Sequence, residues 1–244
     1  MLYNQNGGVS MKIKMIGTGN MWVKSNSASY LIDDKILIDA PNGSCKSLIR
    51  YDISPKNIEH ILFTHFHGDH YFDIPFYFLQ KSKSESLKLN IYCDKKGKTK
   101  IKKLFKLAFP NTVKKVGKIL KTRYIFDTKF KIDNYDVEKV LVEHGGIKPA
   151  YGYIFKSDMT IGFTGDTCYC DSVVYMASTC DYLICDCNFL VGNNKHLGID
   201  NIKLLAKEYP KCTFIVSHIP DEVRDGLETK DNIIVPTDGS EINI

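Results

Sequence analysis

From residue 12 onward the chain alternates short apolar runs with polar turns. Lys12 to Ile16, Ser29 to Ile32 and Lys35 to Ile38 are three such runs, with Asp33-Asp34 between the last two, and they predict a meander of strands. Ile61-Leu62-Phe63-Thr64 is too short for a helix and predicts a buried strand. Leu89 to Cys93, Val137 to Val142, Asp181 to Cys185 and Thr213 to Val216 predict further strands. Tyr151 to Phe155 and Thr160 to Phe163 predict a hairpin around Ser157-Asp158. Ser54-Pro55 reads as a helix start, with Ser as cap and Pro in the first turn. Helices are predicted over Asp73 to Gln80, where Pro75 fits the first turn, over Tyr169 to Ser178 and over Asp200 to Tyr209. Ile233-Ile234-Val235, Asp238-Gly239 and Glu241 to Ile244 predict a closing hairpin. Strand runs mixed with helices in this way predict an α/β (α+β) protein of two sheets with helices outside.

Composition adds little that is unusual. The 244 residues are 43% hydrophobic and 25% charged, as in ordinary globular proteins. Residues 1–10, MLYNQNGGVS, are polar and Gly-rich and are expected to be a flexible N-terminal extension to one domain over 11–244. No apolar run approaches the roughly 18 residues of a membrane span, and no signal peptide is recognisable, so no membrane and a cytoplasmic location are expected. Eight scattered cysteines fit reduced, mostly buried thiols; the pairs Cys168/Cys170 and Cys185/Cys187 lack zinc-finger spacing.

The net charge of +5 hides an uneven distribution. Between Lys81 and Arg123, fourteen lysines and one arginine face only Glu85 and Asp94. This basic stretch offers a surface for RNA or another anion. However, Ile101, Leu104, Phe105 and Ala108 share one helical face, so the lysines are expected on the solvated side.

The chemistry is concentrated in Thr64-His65-Phe66-His67-Gly68-Asp69-His70, where four candidate ligands fall within six residues. Imidazole and carboxylate suit zinc and related ions, and a loop of this kind can feed two neighbouring metal positions. Gly68 is expected to free the backbone for a tight loop. Five of the seven histidines, His65, His67, His70, His144 and His218, belong to the candidate set together with Asp69 and Asp166. Each follows an apolar strand, so loops can bring them to one rim. His60 is expected to be a surface residue.

The His65–His70 string resembles the signature of the metallo-β-lactamase fold superfamily. So do Asp39 before Ala40-Pro41-Asn42-Gly43, Glu143-His144-Gly145-Gly146, Thr164-Gly165-Asp166-Thr167 and Ser217-His218-Ile219, in the same order over residues 11 to 244. The resemblance implies a four-layer αββα sandwich with two divalent metal ions at one edge, zinc foremost, with manganese or iron as alternatives. It implies that His65, His67 and His144 hold one ion, that Asp69, His70 and His218 hold the other, that Asp166 bridges them, and that Asp39 braces the histidine loop. Asp69 and His196 are implied as catalytic residues. Two ions about 3.5–4 Å apart can share a hydroxide and stabilise an in-line displacement.

Departures narrow the branch. Class B β-lactamases place Cys where Asp166 stands, and the flavodiiron branch places an acid where His67 stands. Met15 to Asn20, His144 to Phe155 and Lys195-His196-Leu197-Gly198 are similar to ribonuclease Z and related phosphodiesterases, which implies His196 as general acid. Ribonuclease Z carries a long arm where only 22 positions separate His144 from Asp166, and a Thr where Gly198 stands. The expected function is therefore a phosphodiesterase for a nucleotide or other small anionic phosphodiester. A ribonuclease Z-like RNA endonuclease, a lactonase or thioesterase, and a non-catalytic metal-binding protein are the alternatives. A homodimer is left open.

Overall fold

The computed structural model describes residues 2–3 and 9–244, with side chains from Met11 onward. The expectation for residues 1–10 therefore lies largely outside the described residues; within them β1 (Leu2–Tyr3) pairs with β2 (Val9–Ser10). The chain continues through β3 (Lys12–Gly17), β4 (Ser29–Ile32), β5 (Ile36–Ile38), α1 (Ser44–Arg50), β6 (His60–Leu62), α2 (Gly68–Tyr71), α3 (Ile74–Lys81), β7 (Lys88–Tyr92), α4 (Lys95–Ala108), α5 (Val113–Ile119) and β8 (Lys121–Ile125). Then follow β9 (Lys129–Ile132), β10 (Tyr135–His144), β11 (Ile147–Lys156), β12 (Thr160–Phe163), α6 (Asp171–Thr179), β13 (Tyr182–Asp186), α7 (Ile199–Glu208), β14 (Thr213–Ser217), α8 (Asp221–Asp225), β15 (Ile233–Ile234) and β16 (Glu241–Asn243).

Two seven-stranded sheets result, ordered β16-β3-β4-β5-β6-β7-β8 and β15-β14-β13-β12-β11-β10-β9. Each joins an antiparallel meander to a parallel run, β5 to β8 in one and β12 to β15 in the other. The sheets face each other across a core that includes Ile13, Tyr30, Ile38, Leu62, Tyr153, Phe155, Phe163 and Ile215. Tyr30 of β4 meets Phe163 of β12 at 5.5 Å between ring centroids, so the two sheets lock through aromatic contact. Helices cover the outer faces. Leu31, Leu37 and Ile61 pack under α1, α3, α4 and α5, while Leu183, Phe214 and Val216 pack under α6, α7 and α8. This is the expected four-layer αββα sandwich. Burial of each such side chain stabilises by about 1.5–3 kcal/mol before conformational entropy is counted.

Four expectations change. The closing segments do not form a hairpin: β15 pairs in parallel with β14, whereas β16 crosses to β3 in the other sheet. Ser54-Pro55 opens only a 3-10 turn, Pro55–Asn57. His60 is buried, with Nδ1 2.9 Å from the Tyr92 hydroxyl. Gly68 has no left-handed backbone. A Cβ there would lie 2.6 Å from the Phe72 ring, so its small size serves packing rather than the turn. The lysines of α4 do lie on its exposed side. Lys81, by contrast, is buried and its Nζ donates to the Lys56 carbonyl. All eight cysteines are free thiols.

Candidate metal centre

The parallel strands of both sheets end at one edge, and loops beyond carboxyl ends are where open α/β sheets gather functional groups. Asp39 follows β5, His65 to His70 follow β6, His144 ends β10, Asp166 follows β12, Asp186 ends β13 and His218 follows β14. Asp39 and His218 adopt left-handed backbone, φ 58° and 54°, a conformation that non-glycine residues hold only when surroundings enforce it. Tyr151 N donates to Thr64 O at 2.9 Å and the Tyr153 hydroxyl donates to Phe63 O at 2.7 Å. These bonds tie the second sheet directly to the histidine loop.

The structure brings the seven residues together. His65 Nε2 lies 3.0 Å from His67 Nδ1, which lies 3.3 Å from His144 Nε2. On the other side, Asp69 Oδ2 lies 3.8 Å from His70 Nε2 and 3.7 Å from His218 Nε2. Asp166 Oδ2 sits between the two groups, 3.8 Å from His65 and His144 Nε2 and 3.4 Å from His70 and His218 Nε2. Both sets, His65/His67/His144/Asp166 and Asp69/His70/His218, are close enough to converge on an ion. Asp69 Oδ1 and Oδ2, His70 Nε2 and His218 Nε2 are buried without a hydrogen-bond partner. Buried polar atoms are normally satisfied, so these four orphans fit a cation as the missing partner.

The Nδ1 atoms of His70 and His144 are held in place. Asp39 Oδ2 accepts from His70 Nδ1 at 2.8 Å and from the Thr64 hydroxyl at 2.6 Å, while its Oδ1 accepts from Thr64 N at 2.8 Å. His144 Nδ1 donates to Lys195 O at 2.8 Å. Each bond sets the tautomer that turns Nε2 towards the centre. Charge within the cluster is tightly shared. Burial alone would lower the His218 pKa, but Asp166, Asp186 and Asp69 push it up to about 10. Burial is likewise outweighed at His70, which Asp166 and Asp39 hold well above the usual histidine range. Asp166 is held well below the carboxylate range because His218 and His70 overcome its burial. His65, dehydrated and facing His70, is held well below the histidine range.

His196 also reaches the centre. Its Nδ1 lies 2.9 Å from Asp186 Oδ2, and its ring stacks on His218 at 5.3 Å with an interplanar angle of 8°. Asp186 Oδ1 lies 3.3 Å from His218 Nδ1, so one carboxylate faces both rings. Asp186 is not among the sequence candidates, since in Cys185-Asp186-Cys187 it is flanked by buried thiols rather than by other ligand types. Its place at the end of an apolar strand was the available signal. A cavity of about 290 Å³ opens over the cluster, lined by Asn20, Met21, Trp22, His144, Asp166 and His196 among others.

This fold and this residue set define a metallo-β-lactamase fold protein. More particularly, the chain belongs to the family described as anti-Pycsar protein Apyc1, which matches residues 11–234. Among solved structures, YhfI from Bacillus subtilis superposes with a TM-score of 0.74 at 19% identity, covering 96% of this chain and 99% of that one. The short form of human tRNase Z gives 0.71 at 16% identity, covering 95% and 98%. At these identities the likeness is one of fold. Ribonuclease Z of Thermococcus kodakarensis is 32% identical over 122 residues, which are 50% of this chain but only 37% of that relative. Among the described residues, no helix is long and apolar enough to cross a membrane.

Proposed function

We propose that this chain is a dinuclear-metal phosphodiesterase acting on a nucleotide or another small phosphodiester. His65, His67 and His144 would hold one divalent ion, Asp69, His70 and His218 the other, with Asp166 between them; zinc suits this nitrogen-rich set, and manganese or iron are alternatives. Such a pair supplies Lewis acidity and a nucleophile near neutral pH. The chain itself supplies position and proton. His196, aligned by Asp186 through Nδ1, presents Nε2 to donate a proton to the leaving oxygen as the ester bond breaks. The cavity beside it has room for one small anion with its sugar, and Lys195 adds positive charge to its wall. The reading rests chiefly on this one observation: an oriented imidazole sharing a cavity with the orphaned donor cluster. It also fits the short β11–β12 hairpin, which leaves no arm between His144 and Asp166 to embrace a folded RNA.

The test is turnover by metal-loaded protein of bis(p-nitrophenyl) phosphate against a lactone and thioester panel. Phosphodiester hydrolysis should dominate, and His196→Ala should lower kcat by roughly 10²–10⁴-fold, the range for loss of a general acid. Faster lactone turnover would make the protein a carbonyl hydrolase. Fully loaded protein that hydrolyses nothing would point to a non-catalytic metal-binding role.

A further inference from the structure

Resting on the phosphodiesterase reading, we propose that Trp22 is the stacking platform for the base of a nucleotide whose phosphate lies at the metal centre. Trp22 is the chain's single tryptophan, and 83% of its surface is open to water. It is also part of the wall of the cavity that contains His67, His144, Asp166, His196 and His218. Among the described residues, the most exposed large hydrophobic side chain therefore lines the same cavity as a cluster of buried histidines and aspartate.

The backbone beneath the indole is pinned. Trp22 N donates to Asn20 Oδ1 at 2.9 Å, and Asn20 Nδ2 donates to Asn188 Oδ1 at 2.7 Å across to the loop that carries His196. The base of the loop closes with Gly19 N on Asn26 O and Ala28 N on Gly19 O, both at 2.9 Å. Asp238 holds it from below, accepting from Thr18 N at 2.9 Å and Asn26 N at 2.6 Å. A ring so placed loses little freedom when a ligand covers it.

The dimensions assign the ring its occupant. In about 290 Å³, the phosphate and sugar of a nucleotide fill the inner end beside Asp166 and His196, so the base falls at the outer end beside Met21 and Trp22. Gly146 and Ile147 also line this cavity, so the indole shares its wall with apolar and backbone surface. Every base offers a π-face, so such a platform favours nucleotides over base-less phosphodiesters while tolerating different bases.

The first measurement is Trp22 fluorescence in the metal-loaded protein. Adenosine 5′-monophosphate should quench it, and ribose 5-phosphate should not. Equal effects, no effect, or emission that changes only with protein concentration, as when a second copy covers the ring, would overturn the proposal. The second is the ratio of kcat/KM for thymidine 5′-(p-nitrophenyl phosphate) to that for methyl p-nitrophenyl phosphate. Trp22→Ala should lower this ratio about tenfold, mostly through KM, and Trp22→Phe should restore much of it. An unchanged ratio would also overturn it. If neither ester is turned over, the phosphodiesterase reading fails, and the fluorescence arm still decides whether the indole meets a base.

Discussion

The carboxylate of Asp186 lies 2.9 Å from Nδ1 of His196, and its second oxygen lies 3.3 Å from Nδ1 of His218. A single side chain at the end of β13 thus hydrogen-bonds the ring of His196 and places a second carboxylate oxygen beside the ring of His218 without a hydrogen bond between them. Thr167 N also donates to it at 3.2 Å, which fixes the carboxylate itself. Replacing Asp186 by Ala should lower kcat roughly 10–100-fold, as is usual for loss of a partner behind a ligand. Metal content should fall less than activity, because His218 keeps its own backbone setting. Elemental analysis beside single-turnover kinetics checks this; unchanged kinetics would show that His196 needs no orientation.

Asp166 occupies the middle of four imidazoles, each with Nε2 within 3.8 Å of its Oδ2. Asp166→Ala should therefore lower metal content and phosphodiester turnover together, activity by at least about 100-fold. Full metal content with lost activity would separate the two roles and argue against a bridging position.

Gly165 precedes that aspartate with φ 61°, and a Cβ there would lie 2.8 Å from Thr64 Cβ and 2.9 Å from Tyr151 O. Both the left-handed backbone and the close packing against the histidine loop require glycine. Gly165→Ala should cost about 2 kcal/mol. For a chain of this size that is a fall in Tm of roughly 4–8 °C, read by thermal denaturation. A Tm unchanged in the metal-free protein would mean that the two loops are not rigidly packed.

How much of this was legible in the sequence depends on whether the cause is local. The histidine loop was legible because four ligand types crowd six residues after an apolar strand. The β11–β12 hairpin was legible because its partners are neighbours along the chain. The separation of β15 from β16 was not. Two short apolar runs flanking Asp238-Gly239 look the same whether they pair with each other or with β14 and β3, and only distant partners decide. The burial of His60 is illegible for the same reason, since its partner Tyr92 lies 32 positions away. Asp186 carries only the weak signal of ending an apolar run, and its contacts with His196 and His218 exist only once β13 lies between β12 and β14.

The raised histidines set the pH behaviour of metal uptake. Asp166, Asp186 and Asp69 outweigh burial and raise His218 to about 10, and Asp166 and Asp39 likewise raise His70 above the usual histidine range, so the protonated form of both rings is favoured in the metal-free protein. A cation needs their Nε2 lone pairs, so binding must expel those protons. Calorimetric titration of metal-free protein with Zn²⁺ in buffers of different ionisation enthalpy should show net proton release at pH 8, with apparent affinity rising as pH rises. Stability follows the opposite course. A folded pKa raised above the unfolded value of about 6.5 contributes stability that is full below pH 6.5 and lost as pH climbs towards 10. Metal-free protein should therefore lose Tm between pH 7 and 10, while the metal-loaded form, whose ligands carry no such protons, should not lose this contribution. Metal binding without proton release would mean that His70 and His218 are neutral in the free protein, and that Asp166 is not paired with them as charged groups.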